Sequence, residues 1–459
     1  MKTKTRLVLI LSLVAALLAL SLAACGTAAK TAEAEESSLA AAAESTEVVA
    51  EEPAADTDNV QPTAEAEAEP AAEPAEENAA EASVLEADLL SAQETEPAAA
   101  AAPAETIVTT ANVTSDGVID ASELFTDRDL TQTPDLSEAE VIAVADGEDV
   151  LITEEGVYVL QGTASGVTVY VETDQADDAK VQIVLDGVSI TNEDFPCIYV
   201  KEADKVFVTT TATENNLSVT GTFVADGDTN TDGVIFCRSD LVLSGLGTLN
   251  ISSTNNGVVC KDDLKITGGT YSIDAASKSL EANDSIVVAD GVFTLTAGTD
   301  ALHAENDDDD TVGYIYICGG SFTINAGDDG IHAVSALQID GGDFSITAGE
   351  GIEATYIQIN DGDVVIDSQD DGINGAWKSS AYNATVEING GNITVTMASG
   401  DTDGIDCNGD LIITGGYIDV TGRSTFDCDG SVTFTGGTVI CNGTQVDSIP
   451  TQMGGRGGW

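Results

Sequence analysis

The sequence predicts an all-β fold, a right-handed parallel β-helix (solenoid) of roughly a dozen coils. Two observations carry this prediction. A unit of 21 or 22 residues repeats along the chain, and apolar residues occupy every second position inside it, as they do in strands. In addition, a Gly-Gly or Asp-Gly pair recurs at one place in each unit, where glycine lets the chain turn sharply.

The repeat is clearest in the stretch GDDGIHAVSALQIDGGDFSITAGEGIEA, residues 327–354. Its motif DDGIHA returns as GEGIEA after 21 residues. Successive motifs lie 22, 22, 29, 21, 21, 32 and 21 residues apart, so two insertions, near 306–314 and 376–382, interrupt a regular unit. The central apolar position of the motif is occupied by Val258, Leu280, Leu302, Ile331, Ile352, Ile373, Ile405 and Phe426.

A unit of three short strands and three turns cannot bury its apolar face alone, so its copies must stack. Each strand then pairs with its equivalents in the coils above and below, at a spacing of about 4.8 Å. A leucine-rich-repeat horseshoe lacks support because its leucine and asparagine signature is absent from the units. A β-sandwich would not keep a fixed register of this length.

The N-terminus resembles a bacterial lipoprotein signal. Basic residues precede the apolar stretch Leu7–Leu22, and LAACG at residues 22–26 resembles the lipobox, in which cleavage precedes an acylated cysteine. We therefore expect residues 1–24 to be a lipoprotein signal peptide and Cys25 to be lipidated. The protein would then be extracellular and anchored to the outer face of the bacterial cell membrane. Ordinary secretion, with Cys25 incidental, is the alternative.

The segment 25–105 is predicted to be a disordered acidic linker rich in Ala, Glu and Pro. Between residues 31 and 105 it holds 21 Asp or Glu, no Lys or Arg, and six of the nine prolines of the chain. Like charges and recurring prolines keep such a segment extended. We assign 106–140 to an N-terminal cap, 141–446 to the β-helix and 447–459 to a Gly-rich tail.

The formal net charge of −65 excludes two classes of partner, nucleic acids and anionic lipid surfaces. Contact with a membrane is therefore expected through the lipid anchor only, and we expect a monomer. Clustered carboxylates also indicate a need for divalent cations. Beyond Cys25 there are seven cysteines, and the pairs Cys237/Cys260 and Cys407/Cys428 occupy equivalent repeat positions. Disulfides would be within reach, but the odd count favours a ladder of free thiols.

Stacking turns each repeat position into a column of side chains. One column follows the apolar motif position and contains Glu281, His303, His332, Glu353, Asn374, Asp406 and Asp427. A second acidic set lies just before it. Like charges at such spacing repel one another unless a cation binds between them, and Ca²⁺ prefers six to eight oxygen ligands. The predicted Ca²⁺ ligands are Asp328, Asp329, His332, Glu350, Glu353, Asp370, Asp371, Asp401, Asp403 and Asp406. Solvated Asp-Gly turns, or a transition metal at the histidines, are the alternatives.

The second insertion, GAWKSSAYN at 375–383, carries the candidate carbohydrate-binding residues Trp377, Lys378 and Tyr382. An aromatic side chain projecting from a flat β-face offers a surface on which a sugar ring can stack. The lysine could pair with the carboxylate of a uronic acid. The alternative is that Trp377 folds back over the edge of a coil.

The motifs GGSFTINAGDDGI at 319–331 and GDTDGIDCNGDLIITGGYIDVTG at 400–422 carry a resemblance over about residues 230–446. They resemble the clostridial carbohydrate-binding-domain-containing family of pectate-lyase-like β-helices. Members are secreted or lipid-anchored, often with an acidic linker and a Gly-rich tail. The resemblance implies a parallel β-helix, bound Ca²⁺, and binding to plant polysaccharides such as cellulose or polygalacturonate (acidic pectin).

Three functions follow as hypotheses. The favoured one is a cell-surface, calcium-binding carbohydrate-binding protein that recognises plant cell-wall polysaccharide. The second is a calcium-dependent pectate-lyase-like enzyme acting by β-elimination, which needs a Lys or Arg base beside the metal. Lys378 and Arg423 are its weak catalytic candidates, and the lack of a basic residue within the acidic columns disfavours it. The third is a structural surface adhesin in which calcium only stabilises the stack.

Overall fold

The computed structural model describes residues 117–173, 178–400 and 402–450. The predictions for the signal peptide, Cys25, the acidic linker, Asp401 and the last nine residues of the tail lie outside this range. The described residues contain no helix, and hence none with the length and hydropathy that a membrane span requires.

The secondary structure of the described residues consists of short strands. The first seventeen are β1 (Glu140–Ala143), β2 (Val150–Ile152), β3 (Gly156–Ser165), β4 (Val169–Glu172), β5 (Lys180–Asn192), β6 (Ile198–Glu202), β7 (Lys205–Thr210), β8 (Glu214–Val219), β9 (Gly233–Cys237), β10 (Asp240–Gly245), β11 (Thr248–Ser253), β12 (Asn256–Cys260), β13 (Asp263–Ile266), β14 (Thr270–Ala275), β15 (Leu280–Ala282), β16 (Ser285–Val288) and β17 (Val292–Ala297).

The strands that follow come from the more regular part of the repeat. They are β18 (Leu302–Ala304), β19 (Tyr314–Ile317), β20 (Ser321–Ala326), β21 (Asp329–Ile339), β22 (Asp343–Ala348), β23 (Glu350–Ile359), β24 (Asp363–Ser368), β25 (Ile373–Gly375), β26 (Thr385–Ile388), β27 (Asn392–Met397), β28 (Asp403–Cys407), β29 (Asp410–Ile413), β30 (Tyr417–Thr421), β31 (Ser424–Cys428), β32 (Val432–Phe434), β33 (Thr438–Cys441) and β34 (Thr444–Val446).

These strands form a parallel β-solenoid of about 11 turns, as predicted. Sheet A contains β2, β4, β6, β9, β12, β15, β18, the first parts of β21 and β23, then β25, β28 and β31. Sheet B contains β1, the first parts of β3 and β5, then β7, β10, β13, β16, β19, the second parts of β21 and β23, then β26, β29 and β32. Sheet C contains the second parts of β3 and β5, then β8, β11, β14, β17, β20, β22, β24, β27, β30 and β33. The pair β33–β34 is antiparallel.

The register confirms that one repeat is one coil. Ile331 pairs with Leu302 in the coil before it and with Ile352 in the coil after it. The corner between sheets B and C is made at the recurrent glycine, where φ is positive, for example +114° at Gly342. Such a φ favours glycine because other residues meet a Cβ clash there. The same corner position in the other coils is held by Gly269, Gly291, Gly320, Gly362, Gly391, Gly416 and Gly437.

The interior is filled by the inward half of each alternating strand. In sheet C, four buried rings stack from coil to coil. Their centroids are 5.3 Å apart between Tyr271 and Phe293, 4.4 Å between Phe293 and Phe322, and 4.7 Å between Phe322 and Phe344. Because the repeat places an aromatic residue at the same inward position, ring packing continues along the axis instead of ending within one coil.

The seven cysteines within the described residues are free, and six of them are buried. Cys237 pairs in register with Cys260, and Cys407 pairs with Cys428. The prediction of an internal ladder of free thiols is therefore confirmed. These residues act as small apolar groups inside sheet A.

Residues 117–132, here called the N-terminal segment, lie along the outer face of sheet B. At one end, the backbone N–H of Val118 donates to Oε1 of Gln358 (2.9 Å), and that of Ile119 donates to Oε1 of Gln338 (2.8 Å). Toward the other end, Nζ of Lys265 donates to the carbonyl oxygen of Leu124 (2.6 Å). The segment therefore crosses several coils.

Residues 117–132, which belong to the predicted cap region 106–140, thus lie on the side of the stack, and a cap formed by the rest of that region stays a prediction. Sheet B turns apolar side chains outward at Val287, Tyr316 and Ala336, and these pack with Ile119 and Ala121. Burial of that apolar surface holds the segment on the side of the solenoid. The signal was present in the sequence, because strands buried on both faces read as continuous apolar runs, such as SIVV in β16.

We predict that Phe322→Ala lowers the free energy of unfolding by about 3–5 kcal/mol, because it leaves a cavity between two stacked rings. Val365→Ala is the matched control. Val365 is 49% exposed on the outer face of sheet C, so the change should stay within about 0.5 kcal/mol. Urea denaturation followed by circular dichroism measures both. Equal effects for the two variants would contradict a stabilising aromatic stack.

Candidate metal and carbohydrate site

The predicted column of polar side chains exists on the outer face of sheet A. Strand alternation points Ile331 and Ala333 into the core and His332 outward, and the equivalent residues repeat this pattern. On its N-terminal side the column becomes apolar, where Glu281 pairs with Val259. The polar column runs in register through Glu281, His303, His332, Glu353, Asn374, Asp406 and Asp427.

A second column of carboxylates lies beside the first, three residues earlier in each motif. The backbone N–H of Asp329 donates to Oδ1 of Asp300 (3.1 Å), and Asp329 pairs in register with Glu350. Further along, the N–H of Asp403 donates to Oδ1 of Asp371 (3.0 Å). The structure thus brings together the predicted ligands of adjacent coils. Asp328 and Asp370, in contrast, are exposed turn residues.

His332 lies at the centre of one group of side chains in this site, here called the upper group, which also contains Asp329, Glu353 and Lys378. Its Nδ1 is 2.6 Å from Oδ2 of Asp329 and 3.1 Å from Oε2 of Glu353. The same Oε2 accepts from Nζ of Lys378 at 2.9 Å. Burial lowers the pKa of His332, but the hydrogen bonds to the two carboxylates outweigh it and raise that pKa to about 9. His332 is therefore an imidazolium at neutral pH.

This upper group does not fit Ca²⁺. One atom each of Asp329, His332 and Glu353 lie within 4.8 Å of one another, but the nitrogen between the two carboxylates donates hydrogen bonds instead of accepting a cation. The carboxylates are already compensated by His332 and Lys378. The prediction that His332 is a Ca²⁺ ligand is therefore not supported by its environment.

The lower group, made of Glu350, Asp371, Asn374, Asp403 and Asp406, has a different balance of charge. Burial raises the pKa of Glu350 to about 7, and nearby carboxylates add to the effect while a hydrogen bond from Asn374 opposes it. Burial also raises the pKa of Asp371 to about 6 and that of Asp406 to about 7, with neighbouring carboxylates adding to both shifts. These carboxylates repel one another at neutral pH.

Asn374 supplies an oxygen that no described residue satisfies. Its Nδ2 donates to Oε2 of Glu350 (3.1 Å) and to Oε1 of Glu353 (3.2 Å). Its Oδ1 is buried and accepts no hydrogen bond from the described residues. Such an acceptor costs about 1–3 kcal/mol. Amide and carboxylate oxygens are both ligand types that Ca²⁺ accepts, so the residue types of the lower group are compatible with this ion.

The two insertions predicted from the repeat meet beside this site. The backbone N–H of Ser380, in the second insertion, donates to Oδ2 of Asp310 in the first (2.9 Å). Behind them, Oγ1 of Thr355 accepts from the N–H groups of Lys378 (3.0 Å) and Ser379 (2.8 Å). These hydrogen bonds fix the second insertion over the coil that follows His332.

Trp377 is held on the surface of this loop in one orientation. It is 58% exposed, and its Nε1 donates to the carbonyl oxygen of Asn408 (3.1 Å). Asn408 in turn donates from Nδ2 to Oδ2 of Asp406 (3.2 Å). The indole is therefore linked to the acidic column on one side, while Lys378 is linked to it on the other.

Tyr382, the third predicted carbohydrate-binding residue, is half-buried. Its ring packs edge-on against Tyr356, with centroids 5.8 Å apart and an interplanar angle of 68°. Both tyrosines pack against the apolar cluster beneath the N-terminal segment. Tyr382 therefore supports the loop and presents less surface than Trp377.

The two catalytic candidates are poorly suited to act as bases. Burial lowers the pKa of Lys378, but its hydrogen bond to Glu353 and the surrounding carboxylates give a net rise, so the amine stays protonated. Arg423 is exposed and donates from Nη1 to the carbonyl oxygen of Gly400 (3.4 Å). A guanidinium does not lose its proton in proteins. Neither of these two residues is therefore placed as an unprotonated base for β-elimination.

Several residues near the column could not be predicted as its partners from the sequence. Lys261 and Lys278 lie 3.3 Å and 3.9 Å from the carboxylate of Glu281 and compensate its charge. At the corner between sheets A and B, three further carboxylates each bring an oxygen within 4.8 Å of the others: Asp240, Asp262 and Asp263. The signal for them was weak, because each lies in or directly after a turn, where acids could equally be solvated.

Comparison with known proteins identifies the family. Residues 146–398 and 352–447 match the model of the carbohydrate-binding domain-containing protein family, and the first match alone covers more than half of the chain. The chain belongs to this family. Family membership supports a carbohydrate-binding role.

A curated relative and a solved structure show similarity to this chain. A carbohydrate-binding domain-containing protein of Acetivibrio thermocellus is 34% identical over 125 residues, which are 26% of this chain and 43% of the relative. The match thus spans less than half the length of that relative. A solved structure, described as the polysaccharide lyase-like protein from C. thermocellum in a gadolinium derivative, is 28% identical. It covers 48% of this chain and 96% of its own, with a TM-score of 0.44.

We predict that Asp406→Asn stabilises the protein in chelator at about pH 7.5. The pKa of Asp406 in the folded protein is raised to about 7. Its ionised form therefore lowers the free energy of unfolding, and this cost reaches its full size above about pH 7. The gain should shrink as pH falls below about 7, because the wild-type carboxyl is then protonated in the native state, and it should nearly vanish toward pH 4. Melting temperatures by differential scanning calorimetry measure this difference.

Asp370→Asn, which removes an exposed charge of the same sign nearby, is the matched control and should change the melting temperature much less. Adding Ca²⁺ should raise the melting temperature of the wild type at neutral pH more than that of Asp406→Asn. A variant that is less stable than the wild type in chelator at neutral pH would contradict the proposed repulsion.

Proposed function

We propose that the protein is a calcium-dependent carbohydrate-binding protein of the bacterial cell surface that binds plant cell-wall polysaccharide. The observation that carries this proposal is Trp377, an exposed indole held in one orientation at the edge of a carboxylate column. A rigid aromatic face loses little conformational freedom when a sugar ring stacks on it, so its contact area contributes directly to affinity. Family membership supports the same class of ligand.

Ca²⁺ is the cation that this proposal assigns to the lower group. Glu350, Asp371, Asn374 and Asp406 would hold it, with Asp403 adjacent, because all of them offer oxygen atoms. A bound Ca²⁺ would remove the repulsion within the group. It would also give a uronate carboxylate a positive partner on a surface that otherwise repels it.

Charge therefore separates two kinds of polysaccharide. Cellulose is neutral and needs only stacking and hydrogen bonds, whereas polygalacturonate is anionic and must overcome the field of the carboxylates. Lys378 forms an ion pair with Glu353, so its single charge does not offset the negative potential of the remaining carboxylates. We therefore expect binding of polygalacturonate to require Ca²⁺ and binding of cellulose to be less dependent on it.

The proposed location rests on the sequence. A lipidated Cys25 would anchor the chain to the membrane, and the acidic, Pro-containing composition of residues 25–105 is typical of a spacer. Such a spacer suits a protein whose ligand is an insoluble polymer outside the cell.

We predict that Trp377→Ala weakens binding to both polymers by roughly 3–10-fold, the equivalent of about 0.5–1.5 kcal/mol of aromatic stacking. Pull-down of the full chain on microcrystalline cellulose and on immobilised polygalacturonate, with Ca²⁺ or with chelator, measures this effect. The matched control is Tyr417→Ala, which removes an aromatic ring 42% exposed on sheet C.

Chelator should release the protein from polygalacturonate and reduce retention on cellulose much less. If neither polymer retains the wild-type protein at any Ca²⁺ concentration, the proposed function is wrong. Retention of Trp377→Ala equal to that of the wild type would remove the indole from the binding surface.

We predict that Cys25→Ser moves the protein from the membrane fraction to the culture medium, because it removes the residue that would carry the acyl chains. Cys441→Ser, at a half-buried cysteine of the last coil, is the control and should stay with the membrane. Fractionation of the host bacterium and immunoblotting give the readout. Membrane retention of Cys25→Ser would contradict lipid anchoring at this residue.

A further inference from the structure

The two histidines of the chain are neighbours in the column. His303 pairs in register with His332, and both side chains are largely buried. Their rings are stacked, with centroids 4.7 Å apart and an interplanar angle of 17°.

Each histidine has a carboxylate three residues before it at Nδ1. Oδ2 of Asp300 is 2.8 Å from Nδ1 of His303, although the angle lies outside hydrogen-bond geometry. Oδ2 of Asp329 is 2.6 Å from Nδ1 of His332 and forms a hydrogen bond with it. A carboxylate on one ring nitrogen is the usual partner of a metal-ligating histidine, because it orients the ring and leaves Nε2 as the ligand.

A third ligand stands next to the histidines. Oε2 of Glu305 is 3.1 Å from Nε2 of His303. One atom each of His303, Glu305 and His332 lie within 4.8 Å of one another. The side chain of Glu305 is 45% exposed, so solvent and ions reach the cluster from that side.

This donor set differs from that of the lower group. Two imidazole nitrogens with one carboxylate suit Zn²⁺, Co²⁺ and similar first-row ions, whereas Ca²⁺ prefers oxygen alone. We propose that His303, Glu305 and His332 form a second metal site, which binds a divalent first-row transition ion such as Zn²⁺. Asp300 and Asp329 orient its two histidines.

The proposal goes beyond the polysaccharide-binding function and does not depend on it. The ion would bind one ring nitrogen of each histidine, any proton on that nitrogen being released to solvent, while the other ring nitrogen keeps its contact with aspartate. Three protein ligands leave one tetrahedral position open, as in zinc sites that accept a water molecule or a further ligand.

The test is a titration of the full chain with Zn²⁺ in the presence of excess Ca²⁺, which occupies oxygen-only sites. Isothermal titration calorimetry should show one Zn²⁺ per chain. His303→Gln should weaken binding by about 100-fold or more, and Asp300→Asn, which removes an orienting carboxylate, by about 10–100-fold. Asp307→Asn removes an exposed carboxylate two residues from Glu305 and should leave affinity unchanged.

Co²⁺ provides an independent readout of nitrogen ligation. The wild-type protein should develop visible absorption bands with Co²⁺ in excess Ca²⁺, and His303→Gln should lose them. Glu305→Gln, at a half-exposed position, keeps the test decisive if a histidine variant does not fold. Failure of the wild type to bind Zn²⁺ under these conditions would overturn the proposal. So would equal affinity in the wild type and folded Glu305→Gln.

Discussion

Backbone pairing between coils is the interaction on which the rest of the structure depends. Each coil donates and accepts hydrogen bonds with its neighbours in one register, so a residue at a given repeat position always meets its equivalent about 4.8 Å away. Inside, this register produces the aromatic stack of sheet C and the cysteine ladder of sheet A. On the outer surface, the same register places carboxylates of neighbouring coils close together, whereas a less regular fold would separate them. The candidate sites are consequences of the same geometry that builds the core.

The outer column of sheet A compensates its charge differently along its length. Glu281 is balanced by two lysines, and Glu353 is balanced by His332 and Lys378. Farther toward the C-terminus, Asp371 and Asp406 repel each other and nearby carboxylates. A protein that keeps uncompensated carboxylates beside an exposed indole stores unfavourable electrostatic energy at one place. Ligand or cation binding there can release it, which makes binding more favourable than it would be at a neutral surface.

The sequence alone was sufficient to predict the solenoid, the coil length, the glycine corners and the column from Glu281 to Asp427. In a stacked repeat, residues at equivalent sequence positions occupy equivalent positions in successive coils. It was not sufficient for contacts that break the period. The packing of residues 117–132 on sheet B depends on outward apolar residues such as Tyr316. The alternation of apolar residues alone did not determine whether the side chain of Tyr316 points inward or outward. The protonated state of His332 depends on the distances to Asp329 and Glu353, and the orientation of Trp377 depends on one carbonyl of another coil. Such details come from side-chain geometry that a repeat pattern does not specify.

The N-terminal segment affects how the coils of the solenoid unfold. Repeat proteins are quasi-one-dimensional: each coil contacts only its neighbours, so such a stack can fray from either end. Here a hydrogen bond joins Val118 to Gln358, 240 residues later, and further contacts tie the same segment to coils near β7 and β13. Opening of any of the intervening coils would remove part of the contacts of this segment and expose apolar surface on sheet B. The middle of the stack should therefore open as one cooperative block, and coils beyond this tie should open more independently.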